Sequence, residues 1–152
     1  MPNKSKSNNN QPPQRQVIIN AQYVKDLSFE NPGSPQNLVG KGEAPKIDIA
    51  VDVKVSNLEA NSYEVVLIIS AHAQVNNKNL FVTELTYAGV FTLVVPQEEL
   101  EPALMIYCPG MLFPFARRIL SDATRDGGFP PLMLDPIDFA ALYQQHKSRK
   151  AS

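Results

Sequence analysis

The chain has 152 residues, 43% of them apolar, which suits a single domain with its own core. Its net charge is −1, yet all 15 acidic residues lie between Asp26 and Asp138, and six of the 14 basic ones sit near the ends, leaving −7 on the body. A body of that sign repels phosphate backbones, which argues against nucleic acid as a partner and for a basic protein.

After Met1, residues 1–16 contain no large aliphatic or aromatic side chain, so burial cannot offset the entropy of ordering them, and a disordered arm is predicted. The stretch 146–152 is similarly polar and is expected to be a flexible tail, which leaves residues 17–145 as the folded domain. The basic residues near the ends are Lys4, Lys6, Arg15, Lys147, Arg149 and Lys150. No apolar leader opens the sequence, and unbroken apolar runs such as Val65 to Ile69 are far short of the roughly 20 residues that span a bilayer. A cytoplasmic protein without direct membrane insertion is expected. Cys108 is the sole cysteine, so no internal disulfide can form, in keeping with a reducing compartment.

In chain order, Val17 to Phe29 reads as a strand with Val17, Ile19, Ala21, Tyr23, Leu27 and Phe29 all at odd positions. Asn31-Pro32-Gly33-Ser34-Pro35 stops it, and the three Gly and three Pro between Asn31 and Pro45 predict an irregular connection. Ile47, Ile49, Val51, Val53 and Val55 then alternate with Asp48, Asp52 and Lys54, the period of a half-buried strand. A turn over Asn57–Asn61, a third strand from Tyr63 to Val75, a loop over Asn76–Asn79 and a fourth strand from Leu80 to Val95 follow, with a bulge expected at Gly89. The short turns imply antiparallel pairing. Asp26, Glu30, Asp48, Asp52, Glu64 and Glu84 all stand at even numbers, opposite the main apolar rows, so one sheet face is expected to be acidic.

After Pro96 the spacing becomes helical. Glu98, Glu99 and Glu101 read as charges that complement a helix N-terminus, and Pro109-Gly110 as a break or bend. From Met111, the residues Leu112, Phe115, Ala116, Ile119, Leu120 and Ala123 follow one helix face. Gly127-Gly128 ends that helix. Asp135 is the expected N-cap of a last one, with Pro136 at its first position and Phe139, Leu142 and Tyr143 as its stripe. The predicted class is α+β, a four-stranded antiparallel sheet followed by two to three helices packed on one face.

Catalytic patterns are absent. The histidines, His72 and His146, form no pair, no Cys-x-x-Cys exists, and neither a zinc set nor any other metal site is assembled. Gly40-Lys41-Gly42 lacks the third glycine of a dinucleotide loop, and no Gly-x-Ser-x-Gly elbow occurs, so neither an enzyme nor a cofactor is expected. Cys108, in an apolar setting, reads as structural.

Three stretches together resemble the SecB family of export chaperones. These are YVKDLSFENP (Tyr23 to Pro32), YEVVL (Tyr63 to Leu67) with Gly89-Val90-Phe91 after it, and YCPGMLFPFAR (Tyr107 to Arg117) followed by Gly128-Phe129-Pro130 and the Asp135–Phe139 segment. The resemblance implies a homotetramer, a dimer of dimers with helices sandwiched between outer sheets. Contacts between copies would fall at Thr83, Leu85, Tyr87, Leu112, Phe115 and Ile119. It implies a holdase that binds unfolded preproteins and passes them to SecA without a nucleotide. Carried over by position, SecA would dock on Asp26, Glu30, Val82 and Glu84, and clients would lie in a groove of Leu38, Val39, Ile47, Ile49, Phe139, Leu142 and Tyr143. A chaperone of the same fold dedicated to another partner, such as a toxin–antitoxin pair, is the alternative.

Overall fold

The computed structural model describes residues 14–39 and 44–151. Strand β1 (Gln16–Glu30) is followed by a one-turn helix α1 (Gln36–Val39), then β2 (Lys46–Glu59), β3 (Ser62–Val75) and β4 (Lys78–Val94). Helix α2 (Gln97–Pro102), a π turn (Ala103–Tyr107), α3 (Cys108–Asp126) and α4 (Phe139–Ala151) complete the chain. The sheet is antiparallel throughout, in the order β1-β4-β3-β2. Asn76 and Asn77 hold φ of 51° and 63°, the left-handed pair that a two-residue hairpin needs and that asparagine tolerates, so the β3–β4 loop is tighter than expected.

Register shows where period-two counting fails. Val17 and Ile19 pair with Leu93 and Phe91 on the helix-covered face, but the ladder slips between Ile19 and Ala21 and again between Val24 and Asp26. Ala21 and Tyr23, opposite Val90 and Ala88, therefore lie on the outer face, whereas Gln22 and Val24 turn inward. The second slip restores the phase, so Leu27 and Phe29 return to the helix side of the sheet, where Phe29 packs on Phe81 and Leu27 remains 43% exposed. The bulges of this ladder sit on β1, further slips fall near strand ends at Asn57/Glu59 and Ala73/Gln74, and none occurs at Gly89, where the glycine has a different task. A Cβ there would come within 2.8 Å of the Phe91 ring and 3.0 Å of Leu112 Cδ2, so its absence lets α3 settle on the sheet. Gly89→Ala is expected to destabilise by about 1–3 kcal/mol through overpacking, read from a shifted denaturation midpoint.

The core joins Leu67, Ile69, Leu85 and Phe91 of the sheet to Cys108, Leu112, Ala116 and Leu120 of α3, all fully buried. The helical stretch 97–126 is unbroken. Its π turn passes the Cys108 N–H to the Ala103 carbonyl just before Pro109, so the ladder changes pitch where the proline has no donor to give and the chain continues without a break. By length and composition alone this stretch could cross a bilayer, but here its apolar side packs on the sheet. Phe113 is buried in place of Phe115, which is 43% exposed, and Ile119 and Ala123 are only half-buried.

Helix α4 starts at Phe139 rather than near Asp135. Asp138 is the cap, its Oδ1 accepting the Ala141 N–H at 3.0 Å, because the chain before it stays extended so that Leu132, Leu134 and Ile137 all reach the core. The helix continues to Ala151, through the stretch read as a tail. At the other end β1 begins at Gln16, and Arg15 donates to both oxygens of Glu99 at 2.6 and 2.7 Å, so the root of the arm is held. The rest of the expected arm, 1–13, lies outside the described residues.

Candidate functional site

β2 is an edge strand, and its inward-facing row is incompletely covered. Val53 is buried, but Ile47 and Ile49 remain 37% and 41% exposed. Three hollows follow one another along this row and form a trough. The first, about 770 Å³, is lined by Ile47, Leu80, Phe81, Phe129, Leu132 and Met133 among others, with no charged side chain among the described residues. The second, about 720 Å³, lies between Ile49–Val53 and Leu142, Tyr143 and Arg149 of α4. The third, about 680 Å³, lies between Val53–Ser56 and Leu100, Leu104 and Met105.

The first hollow is built by three segments far apart in sequence. Phe81 of β4 stacks on Phe29 of β1 at 5.7 Å between ring centroids and meets Phe129 at 5.0 Å. Phe29 approaches the end of α3 because Gly127 has no side chain; a Cβ there would stand 2.3 Å from the ring. Thr124 fixes the wall: its hydroxyl donates to the Leu120 carbonyl at 3.0 Å and accepts the Leu132 N–H at 2.8 Å. Asn31 ties the other side, donating to Ser34 Oγ at 2.6 Å and to the Gly127 carbonyl at 3.0 Å.

Of the groove residues expected from sequence, Ile47 lines the first hollow and Ile49, Leu142 and Tyr143 the second. Leu38 lies over Gly128 and is 43% exposed. Phe139 is buried against Phe113, ring centroids 6.2 Å apart, and belongs to the core. The side chain of Val39 lies outside the described residues. The aromatic trio and Met133 escaped sequence reasoning, although Gly128-Phe129-Pro130 was singled out for another reason. Of the expected contacts between copies, Thr83, Leu85, Tyr87 and Leu112 are buried within this one chain under the helices and present no surface. Phe115 and Ile119 do. With Tyr107, 54% exposed, and Met111, they form a stripe at four-residue spacing on the outward side of the helix.

The opposite sheet face is acidic. Glu30 pairs with Val82, which pairs with His72, which pairs with Asp48; one row along, Ser28, Glu84 and Ser70 align, and next Asp26, Thr86, Ile68 and Asp52. Asp26, Glu30, Val82 and Glu84 thus form one patch across β1 and β4. Asp26, Glu30 and Glu84 are exposed and Val82 is half-buried. Glu64 shares the face but is engaged: Tyr23 donates to it through a short hydrogen bond and Lys25 through another of 3.0 Å. These two bonds hold its carboxyl below the usual range. Burial and the same Glu64 contact push the Tyr23 hydroxyl up to about 12, so it stays a donor.

Burial pushes the Cys108 thiol up to about 12, far from a nucleophile's range. His72 meets Asn79 Oδ1 at 2.6 Å on the outer face. Among the described residues no three His, Cys, Asp or Glu side chains stand together as a metal would need.

An apolar trough beside an open strand edge, backed by an anionic face, defines a protein that binds chains. Residues 9–150 match the profile of the SecB family, described as preprotein translocase subunit SecB. Protein-export protein SecB of Parvibaculum lavamentivorans is 56% identical over 138 residues, 90% of this chain and 81% of that one. That of Nitrobacter winogradskyi is 53% identical over 141 residues, 92% of this chain and 89% of that one. In fold, the chain is similar to a Mycobacterium tuberculosis SecB-like chaperone solved with a peptide of the HigA1 antitoxin. The TM-score is 0.67 at 17% identity, over 80% of this chain and 90% of that one. The chain belongs to the SecB family and is a chaperone of protein export.

Proposed function

We propose that this chaperone holds unfolded secretory preproteins along β2 without a nucleotide, and passes them to SecA docked on the outer face. The observation that carries the reading is the division of the sheet: an apolar trough on one side and clustered carboxylates on the other, formed by neighbouring residues of the same strands. Phe81 lines the trough while Val82 and Glu84 face outward. Burial of client side chains supplies affinity without sequence preference, at roughly 25 cal/mol per Å². β2, at the sheet edge, offers backbone groups to an extended chain, the mode by which a strand is added to a sheet. Charge complementarity on the outer face accelerates encounter with a basic segment and weakens with salt. The export reading is preferred to a dedicated antitoxin partner because export proteins are the relatives above 50% identity, whereas the antitoxin-bound chaperone shares 17%.

The Tyr107–Met111–Phe115–Ile119 stripe supports a homotetramer assembled through α3, since apolar surface of this kind calls for a partner copy. Light scattering tests both parts: a mass of four copies that rises by one client on addition of a denatured precursor, with SecA then taking the precursor. A monomer that ignores denatured chains would contradict the reading.

A further inference from the structure

Among the described methionines, Met133 stands open to solvent, 66% exposed, while Met105 and Met111 are half-buried and packed against the core. The cause is local. Residues 129–133 run extended, with Pro130 and Pro131 fixing their own φ and the Leu132 N–H held by the Thr124 hydroxyl at 2.8 Å. Side chains of an extended chain alternate, so Leu132 and Leu134 turn to the core and Met133 between them turns outward. There it forms part of the wall of the first hollow, and the Ser121 hydroxyl of α3 donates to its Sδ at 3.5 Å. A thioether sulfur has two lone pairs, so one such bond leaves a nucleophile at the open rim. Cys108, the sole thiol, is fully buried and does not compete for an oxidant.

We infer that Met133 is an oxidation site, converted by hydrogen peroxide to the sulfoxide, and that this modification weakens the hold of the first hollow on clients. The sulfur lone pair attacks one peroxide oxygen, the O–O bond breaks and an S–O bond forms. The proton of the transferred oxygen passes to the departing hydroxide, which leaves as water, and sulfur is oxidised by two electrons. The side chain thereby changes from a flexible apolar group to a polar one with a strong acceptor. In a hollow with no charged side chain among the described residues, an apolar client must strip water from that oxygen to bind, at a cost the thioether does not impose. The Ser121 hydroxyl, already at the sulfur, is placed to donate to the new oxygen and keep it at the wall. Reversal is open: a dithiol takes the oxygen away as water, becomes a disulfide, and returns the thioether. The effect on clients rests on the chaperone reading, whereas the reactivity of Met133 does not.

The test exposes the full-length protein to hydrogen peroxide, removes the oxidant with catalase, and follows each methionine by peptide mass spectrometry. Met133 is expected to gain one oxygen before Met105 and Met111 do. Client binding is read by fluorescence anisotropy with a labelled unstructured apolar peptide that lacks methionine and cysteine, so that the chaperone alone is modified. Oxidation should raise the Kd about ten-fold, the scale of losing part of one apolar contact and desolvating one polar group. Methionine sulfoxide reductases of both stereospecificities, with dithiothreitol, should restore the starting value. The rise should disappear in Met133→Leu, judged as the ratio of Kd after to before peroxide within that variant. Met105 or Met111 oxidised first, an unchanged Kd once Met133 carries its oxygen, or an equal rise in Met133→Leu would overturn the proposal while leaving the holdase intact. Failure of the untreated protein to bind the peptide would remove the chaperone reading, and with it the effect on clients.

Discussion

Replacing Phe91 by alanine is expected to lower the unfolding free energy by about 3–5 kcal/mol, the range for deleting a fully buried aromatic ring. The ring is fully buried, and its strand position pairs with Ile19 on one side and Tyr63 on the other. It also lies in the space kept open by Gly89, under α3, so the cavity would open where the sheet meets the helix layer. Rigid neighbours on both strands limit collapse, which puts the cost toward the upper part of that range. Denaturant unfolding at fixed protein concentration measures it, since any self-association would tie stability to concentration. Phe91→Leu, which keeps most of the volume, should cost much less. A loss below about 1 kcal/mol for Phe91→Ala would mean the layer interface is not packed as described.

Reversing charge at Glu30 and Glu84 together should weaken binding to SecA by ten-fold or more at low salt, with little effect on stability. Both carboxylates are exposed on the outer face, and Glu30 pairs with Val82 while Glu84 pairs with Ser28 and Ser70, so the two lie one row apart. Lysine at both replaces attraction by repulsion toward a basic partner, and opposed like charges at an interface cost several kcal/mol before screening. The effect should sit in the association rate and fade as salt rises. Glu64→Gln is the control on the same face. Its carboxylate is occupied by Tyr23 and Lys25, so docking should change little. Calorimetric titration at two salt concentrations separates the cases, and unchanged binding by the double variant would remove the docking assignment.

The sheet was legible because strand periodicity is local: alternate residues of β2, β3 and β4 point to opposite faces whatever else the chain does. The acidic face could be read for the same reason, and it survived the two slips in β1 because they cancel between Val24 and Asp26. The slips themselves were not legible, since neither falls at a glycine. The helix faces were ambiguous for a different reason. α3 carries apolar residues on two sides, and tertiary packing, Leu112 against Gly89 and Phe113 against Phe139, decides that these face inward while Phe115 faces out. Asp135, followed by a proline, is the expected cap in sequence, and the core demand of Leu134 and Ile137 moves the start to Asp138. The aromatic hollow was the least legible feature, because Phe29, Phe81 and Phe129 meet only once β1, β4 and the segment after α3 are assembled.

The most direct test is hydrogen exchange of the protein with and without a saturating unfolded precursor. If clients lie along the trough, amides of Lys46–Val55 and of residues 129–133 should slow, while those of Asp26–Glu30 on the docking edge stay unchanged until SecA is added. Protection confined to the outer face, or none anywhere, would contradict the account.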